Sequence, residues 1–359
     1  MKKNIVKNEF NENAPWGGMK RCIVNPNHSV EGYLHEDNSN NWQDGSPVDW
    51  NNVESSGQNV MVEIPKFYYS KKVVEDERIF GVADAPIQTD KINIDEWEVH
   101  PAFFRDRTAL CDSQAATPVE VDFRYAPAFK GWVDGQNRLR SLPNKQPTGN
   151  KTIGAFRNHA KNMGVGWTQM DYYLHYAIQM LYITEYGNPD SQTMIGRGYV
   201  DGNSSATTTG ATLINGNNTF GETTGKKQIS YRGIEDFWGN IRSWVDGYRS
   251  GSNRNILIGN KGFNDNGTGY KDFGNDGVSS NLSGDIRDIH GNMNTGFSAN
   301  KTEGSYDSDG LHDLGYLLSG RLPSSGGNWS DGSRAGAFYF FVDYTAPNAA
   351  ANIGACLAL

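Results

Sequence analysis

A chain of 359 residues with 36% hydrophobic, 21% charged and 12% aromatic content lies at the polar end of globular composition, and its length suits two or three domains. Its aromatic side chains supply a core that disordered chains lack, while 42 glycines point to long ordered loops between short elements. A formal net charge of -8 without any basic run argues against a nucleic-acid partner, and no segment approaches the ~20 apolar residues of a membrane span, so no membrane insertion is expected.

The N-terminus, Met1-Lys2-Lys3-Asn4-Ile5, carries positive charge with no apolar stretch behind it, so cytoplasmic synthesis without the general secretory route is expected. Residues 1–15 read as a polar tail. The β-branched and aromatic run Val60–Tyr69 predicts a strand with an edge or bulge at Pro65. Ile79–Val82, Ile92–Ile94 and Val119–Phe123 read as further strands, so residues 1–145 form a β-rich unit. Cys22, Cys111 and Cys356 are far apart and odd in number, which offers neither a metal spacing nor a disulfide framework; buried free thiols are expected.

Helices concentrate between 150 and 187. Thr152 caps a short helix through Phe156 and Ala160 that ends at Gly164. Thr168 begins a second, with Asp171 as its capping-box partner. Met170, Leu174, Ala177, Ile178 and Leu181 fall at helical spacing, one face against a sheet. Asp201 to Lys227 is nearly all Gly, Ser, Thr and Asn, hence an exposed loop. A second loop-rich stretch covers Gly247 to Asp313, with a strand at Asn255–Ile258, and short strands return at Gly315–Leu322 and Gly336–Tyr344.

Catalytic signatures are absent: the chain has no G-x-S-x-G elbow, no H-E-x-x-H and no phosphate-cradling loop, and its seven histidines are scattered. His159 and His175 read as surface or hydrogen-bonded core residues on helices. No cofactor is expected. Asp307, Asp309 and Asp313 surround Gly310 and are candidate hard-oxygen ligands for a structural Ca²⁺. They lack the full twelve-residue loop and its terminal Glu, and a solvated Asx-turn is the simpler reading.

Two segments carry more. From Tyr231, the run Tyr-Arg-Gly-Ile-Glu-Asp-Phe-Trp-Gly-Asn-Ile-Arg-Ser-Trp reads as a tight turn feeding a core strand, with Trp238 and Trp244 packed inward. At the C-terminus, Gly336–Tyr344 alternates Phe338, Phe340 and Val342 with Tyr339, Phe341 and Asp343. If the first set faces the core, two aromatics and a carboxylate point outward beside Tyr344 and make a binding surface; a strand buried on both sides is the alternative.

The first segment resembles the G-x-x-D-x-x-G-N-V-x-E-W motif of formylglycine-generating enzymes and their relatives, a variant of the C-type lectin fold. Gly233, Asp236, Gly239, Asn240 and Trp244 match, while Ser243 replaces the acidic residue. The ending, Ser319-Gly320-Arg321 followed by Gly326-Gly327-Asn328-Trp329 and closing on Asn352-Ile353-Gly354-Ala355, resembles the variable region of proteins diversified by retroelements, among them phage tail receptor-binding proteins. No Cys lies between 112 and 355, and Cys356 falls where the enzyme frame has Arg, which weakens the oxidase reading. Val62–Tyr69, His100–Phe103 and Gly166–Tyr186 resemble tail-associated structural proteins of phages and prophages.

The resemblance implies an α+β fold in which 146–359 is a C-type-lectin-fold domain of the formylglycine-generating-enzyme-like subtype, with a variable region at about 326–359, and 1–145 serves assembly or tail attachment. It implies diversified ligand-binding positions at Ser330, Asp331, Ser333, Arg334, Tyr339, Phe341, Asp343, Tyr344, Asn348 and Ala350. Gly327, Trp329, Gly336, Phe338, Pro347, Ile353 and Gly354 would hold the backbone. The expected partner is a bacterial surface protein or glycan, with other tail proteins as further partners and a homotrimer as the assembly, in the virion after cytoplasmic synthesis. The Ca²⁺-dependent sugar motifs Glu-Pro-Asn and Gln-Pro-Asp are absent. A cellular diversified ligand-binding protein at the bacterial surface is the first alternative, and an oxidase of the formylglycine-generating type the second.

Overall fold

Helix Tyr172–Tyr186 is enclosed on every side: of its fifteen residues only Thr184 is not buried. A helix hydrophobic all round belongs inside a core and not on a sheet face. The one-sided packing expected from Met170, Leu174, Ala177, Ile178 and Leu181 is therefore corrected: Tyr172, Tyr173, Tyr176, Tyr182 and Tyr186 bury the faces that the aliphatic spacing left open. The helix start is also corrected. Thr168 pairs with Ala358 in a two-residue strand, and Asp171 is the N-cap, accepting from Leu174 N at 3.0 Å. Gly187, at φ 61°, provides the left-handed C-cap.

The computed structural model of the chain describes residues 7–74, 77–87, 96–303 and 313–359. The strand expected at Ile92–Ile94 and the candidate ligands Asp307 and Asp309 lie outside these. Architecture is mixed and strand-rich, with few helices, as an α+β fold requires. An antiparallel four-stranded sheet orders Val30–Tyr33, Lys20–Val24, Asn59–Pro65 and Phe123–Pro127. The run read as Val60–Tyr69 divides at Pro65 into this strand and Tyr68–Val74, which pairs with Glu77–Ala83. A seven-stranded sheet orders Ala299–Glu303, Leu282–Ile289, Leu314–Leu317, Phe340–Tyr344, Leu322–Ser325, Arg242–Trp244 and Ile353–Gly354.

One hydrophobic cluster runs from Trp16 and Ile23 through the buried helix to Phe338, Phe340 and Val342, so residues before and after 145 share a core. The chain end ties the two sheets together, because Tyr125 and Leu359 exchange backbone hydrogen bonds of 2.9 and 3.1 Å. Thr152 caps helix Ile153–Lys161 as expected, by accepting from Ala155 N at 3.1 Å. The three cysteines are buried free thiols. The segment Asp201–Lys227 is largely without regular structure, but it is not simply an exposed loop. Thr209 and Thr212 are buried, and Thr212 reaches both Glu235 Oε2, at 2.8 Å, and Arg21 Nη2, at 2.9 Å.

Three buried arginine–carboxylate pairs stand at or beside the helix. Arg124 donates to Asp171 Oδ2 at 2.6 Å with both side chains at most 2% exposed. Arg157 grips Asp246 with bonds of 2.7 and 2.9 Å, and Arg232 grips Glu185 with bonds of 2.8 and 2.7 Å. Such pairs add little over an apolar filling, but removing one member strands a charge in low dielectric. Asp171 also caps the helix, so Asp171→Ala is expected to destabilise the fold by about 3–5 kcal/mol. Urea unfolding of the variant beside the parent checks this; a loss under about 1 kcal/mol would mean that the pair behaves like an exposed one.

Candidate functional site: a braced aromatic face at the C-terminus

The tight turn read at Tyr231–Asn240 is a run of left-handed residues. Arg232, Gly233, Asp236, Gly239 and Asn240 all have positive φ, between 46 and 84°. Asn240 tolerates this conformation because its side chain bonds locally, donating to Asp236 Oδ2 at 2.8 Å and to Thr207 O at 3.1 Å. Trp238 and Trp244 are fully buried; Trp244 ends a core strand and Trp238 lies in the turn before it.

The turn docks directly on the C-terminal segment. Gly239 N donates to Gly326 O at 3.0 Å and Trp329 N to Asn240 O at 2.9 Å. Gly332 N reaches Val200 O at 3.0 Å, and Gln192 Nε2 reaches Gly332 O and Ala335 O at 2.8 and 2.7 Å. The backbone of 326–335 is thus held by the scaffold while Ser330 and Arg334 stand exposed and Ser333 half-buried. Glycine is obligatory at two of its turns: a Cβ on Gly326 would sit 2.7 Å from Phe237 O, and one on Gly327 2.6 Å from Ala335 Cβ, both at positive φ.

The alternation expected in the final aromatic strand holds from Phe340 onward. Phe338, Phe340 and Val342 are buried, while Phe341, Asp343 and Tyr344 are half-buried. Tyr339 departs from it and is a correction: it is fully buried and does not point outward. Regular strand begins only at Phe340, and residues 336–339 form a turn in which Tyr339 N returns to Gly336 O at 3.2 Å. The Tyr339 ring then lies stacked with Phe341, centroids 6.2 Å apart at 14°, under Arg242.

Arg242 organises the face. From the strand Arg242–Trp244 it grips Asp331 with bonds of 3.0 and 2.8 Å and donates to the Tyr344 hydroxyl at 2.7 Å. Its guanidinium carbon lies 5.4 Å from the Tyr339 ring centre and 5.2 Å from that of Phe341. Arg242 and Asp331 are 12% and 16% exposed, so Asp331 is a bracing residue as well as one of the expected surface positions. Phe341 in turn packs on Tyr316 at 4.3 Å and on Tyr344 at 5.1 Å. At the rim Arg321 approaches Asp343 at 3.6 Å. Asn348 is exposed and closes a turn by accepting from Thr345 N and Oγ1 at 2.6 and 2.7 Å. Ala350 is half-buried. Sequence reading missed Arg242 and Tyr316; the only trace of either is the place of Arg242 inside the Gly239–Trp244 motif.

Asp313, one of the candidate Ca²⁺ ligands, is buried beneath this face. Its Oδ2 accepts from Phe338 N at 2.6 Å, and burial holds its carboxyl well above the usual range. Its carboxyl thus fastens a turn, and among the described residues, which exclude Asp307 and Asp309, no group of three or more His, Cys, Asp or Glu could hold a metal ion. His175 is buried in the core, where burial and then Lys130 push it down to about 3; His159 Nδ1 donates to Asn137 O at 2.8 Å. Among the described residues no helix is long and apolar enough to cross a membrane.

Taken together, this is a strand-rich α+β protein with a half-exposed aromatic and charged face on the interior strands of its large sheet. It is similar to the solved structures of the Major Tropism Determinant U1 variant and the Major Tropism Determinant P3c variant, each at 12% identity and a TM-score of 0.33, over 82% of this chain and 73% of the other. No protein-family model matches the chain. No curated protein matches it either.

Two outcomes are expected. Arg242→Met leaves Asp331 without its cationic partner, though still bonded to Asn328, and should cost about 1–3 kcal/mol, with amide exchange in 328–334 faster than in the parent while that of the buried helix is little changed; unchanged exchange in 328–334 would contradict the bracing role. The second concerns Asp236, whose carboxyl is pushed up to about 7, first by burial and then by the charge of Glu235. An unfolded Asp titrates near 4, so between these values the folded state holds the extra proton and stability falls as pH rises. Asp236→Asn should flatten that fall, read as urea midpoints at pH 4.5 and 7; an equal slope in both proteins would remove Asp236 as its source.

Proposed function

We propose that the C-terminal face is a diversified ligand-binding surface on a C-type-lectin fold, and that the chain is a phage or prophage tail protein recognising a bacterial surface molecule. The observation that carries this reading is the division of labour in 326–344. The backbone is fixed by bonds to Asn240, Val200 and Gln192, while Ser330, Ser333, Arg334, Phe341, Asp343 and Tyr344 are exposed or half-buried. A rigid frame with aromatic side chains gives contact area at low entropy cost, as antibody paratopes do. The motif at Gly233–Trp244 and the Gly326-Gly327-Asn328-Trp329 ending support the formylglycine-generating-enzyme-like subtype and its variable region.

On this reading Tyr339 and Asp331 shape the face from beneath, and Asn348 and Ala350 form its edge. The region before residue 146 serves assembly or tail attachment even though it shares the core, and the particle carries several copies, a homotrimer by analogy with tail tips. Multivalent display makes modest affinity per face sufficient. A redox enzyme of the related type is disfavoured by the position of Cys356, which is buried and bonded to Ser243 Oγ at 3.3 Å.

Binding of the labelled chain to a panel of intact bacteria tests the face. Phe341→Ala and Tyr344→Ala should each reduce binding roughly tenfold or more with the fold retained; binding unchanged in both would place the recognition surface elsewhere. Diversification is read separately from the encoding locus, where a reverse transcriptase and a near-copy template differing at adenines are expected.

A further inference from the structure

Beside the aromatic face, the chain turns at Ser319-Gly320-Arg321 between two strands of the large sheet, and three guanidinium groups converge on that turn. Arg254 Nη1 lies 3.3 Å from Ser319 Oγ. Arg249 Nη2 lies 3.7 Å from where a Gly320 Cβ would be. Arg321 is in the turn itself, and its Nε is buried with no hydrogen-bond partner. The turn is built and not a loose loop. Gly320 N donates to Gly251 O at 3.1 Å, Arg321 N to Ser250 Oγ at 2.8 Å, and Ser250 N to Arg321 O at 3.0 Å.

Three guanidinium groups at this turn face few carboxylates: among the described residues Arg321 has an ion pair only with Asp343, and Arg249 and Arg254 have none. Arg249 donates to the backbone carbonyl of Asp265, whose carboxylate is already engaged by Arg157 at 2.9 Å. Arg254 donates to the carbonyls of Val278 and Ser279, at 3.1 and 3.0 Å. Asp343 approaches Arg321 at 3.6 Å, beyond hydrogen-bond distance, and both side chains are about a third exposed, at 34% and 36%. Carbonyl partners leave a guanidinium its full charge, and a planar fork suits carboxylate or phosphate oxygens.

The geometry points to an anion subsite at the Ser319-Gly320-Arg321 turn, formed by Arg321 and Arg249 with Arg254 behind them, that takes an acidic group of the ligand bound on the adjoining aromatic face. The two are continuous: Leu322 pairs with Tyr344 across the sheet, and Asp343 links Arg321 to the aromatic strand. The ligand class is then an acidic surface glycan, with rings against Phe341, Tyr344 and Tyr316 and a carboxylate or phosphate at the turn. This rests on the proposal that the C-terminal face binds ligand. Asp343 is the competitor for Arg321 and sets how strongly the anion is held.

Titration calorimetry on the full chain tests the subsite with three probes: tetragalacturonate, the neutral maltotetraose, and inorganic phosphate. Tetragalacturonate is expected to bind more tightly than maltotetraose, and less tightly as salt is raised. Arg321→Gln and Arg249→Gln should each weaken tetragalacturonate roughly tenfold, the loss of one charge-assisted hydrogen bond, and leave maltotetraose unchanged. Asp343→Asn should tighten it, an outcome that misfolding cannot imitate. Phosphate binding that follows the same variants would identify phosphate as an acceptable source of the charge. Equal affinity for the acidic and neutral probes, no effect of the arginine variants, or no binding of either anionic probe overturns the subsite. Equal affinity with sensitivity to Phe341→Ala would overturn it while leaving the binding face intact.

Discussion

A helix with no solvent face sets the terms for the rest of this molecule. Because Tyr172–Tyr186 is buried all round, strands from both ends of the chain close over it, and its charged and amide groups need partners inside, although His175 Nε2 and the Tyr176 hydroxyl have no hydrogen-bond partner. Asp171, Gln179 and Glu185 find theirs in Arg124, the carbonyl of Ala337 and Arg232. The bond from Gln179 to Ala337 O, at 2.8 Å, joins the helix to the C-terminal segment, beside the ring contacts of Tyr172, His175 and Tyr182 with Phe340 and Phe338. From there Phe338, Phe340 and Val342 are drawn inward, and within the regular strand Phe341 and Asp343 are left to the outer side.

The outer surface is held by a different device. Arg242 joins one scaffold strand to two C-terminal segments, through Asp331 and the Tyr344 hydroxyl, and packs against the ring of Phe341. A bidentate pair of this kind fixes geometry more than it adds stability. The face is preorganised in consequence, so a ligand bound there as proposed would not have to order the aromatics first. Variation at Asp331 would release Arg242, so side chains at this position are constrained by the scaffold in a way that Ser330 and Arg334 are not.

Several of these features are legible in the sequence. The alternation of Phe338, Phe340 and Val342 gives the buried side of the final strand, and Thr152 marks a helix cap by local chemistry alone. The glycines and Asn240 of the motif announce positive φ because few other residues take it at low cost. What escapes the sequence is long-range. Asp331 and Tyr344 lie 89 and 102 residues from Arg242, and nothing local distinguishes that arginine from an exposed one. Tyr339 is misread because alternation presumes regular strand, and a turn precedes Phe340. The helix is misread as one-sided because tyrosine suits surface and core alike, and only the enclosing strands decide between them.

On the proposed function, a fixed backbone carries replaceable side chains. The most direct measurement is a library randomised at Ser330, Ser333, Arg334, Phe341, Asp343, Tyr344, Asn348 and Ala350, scored for folding by protease resistance beside a second library randomised at Gly326, Gly327, Trp329, Phe338 and Asn240. Most members of the first should fold and nearly all members of the second should not. Equal loss of folding in the two libraries would contradict the claim, since the face would then be part of the core that holds it.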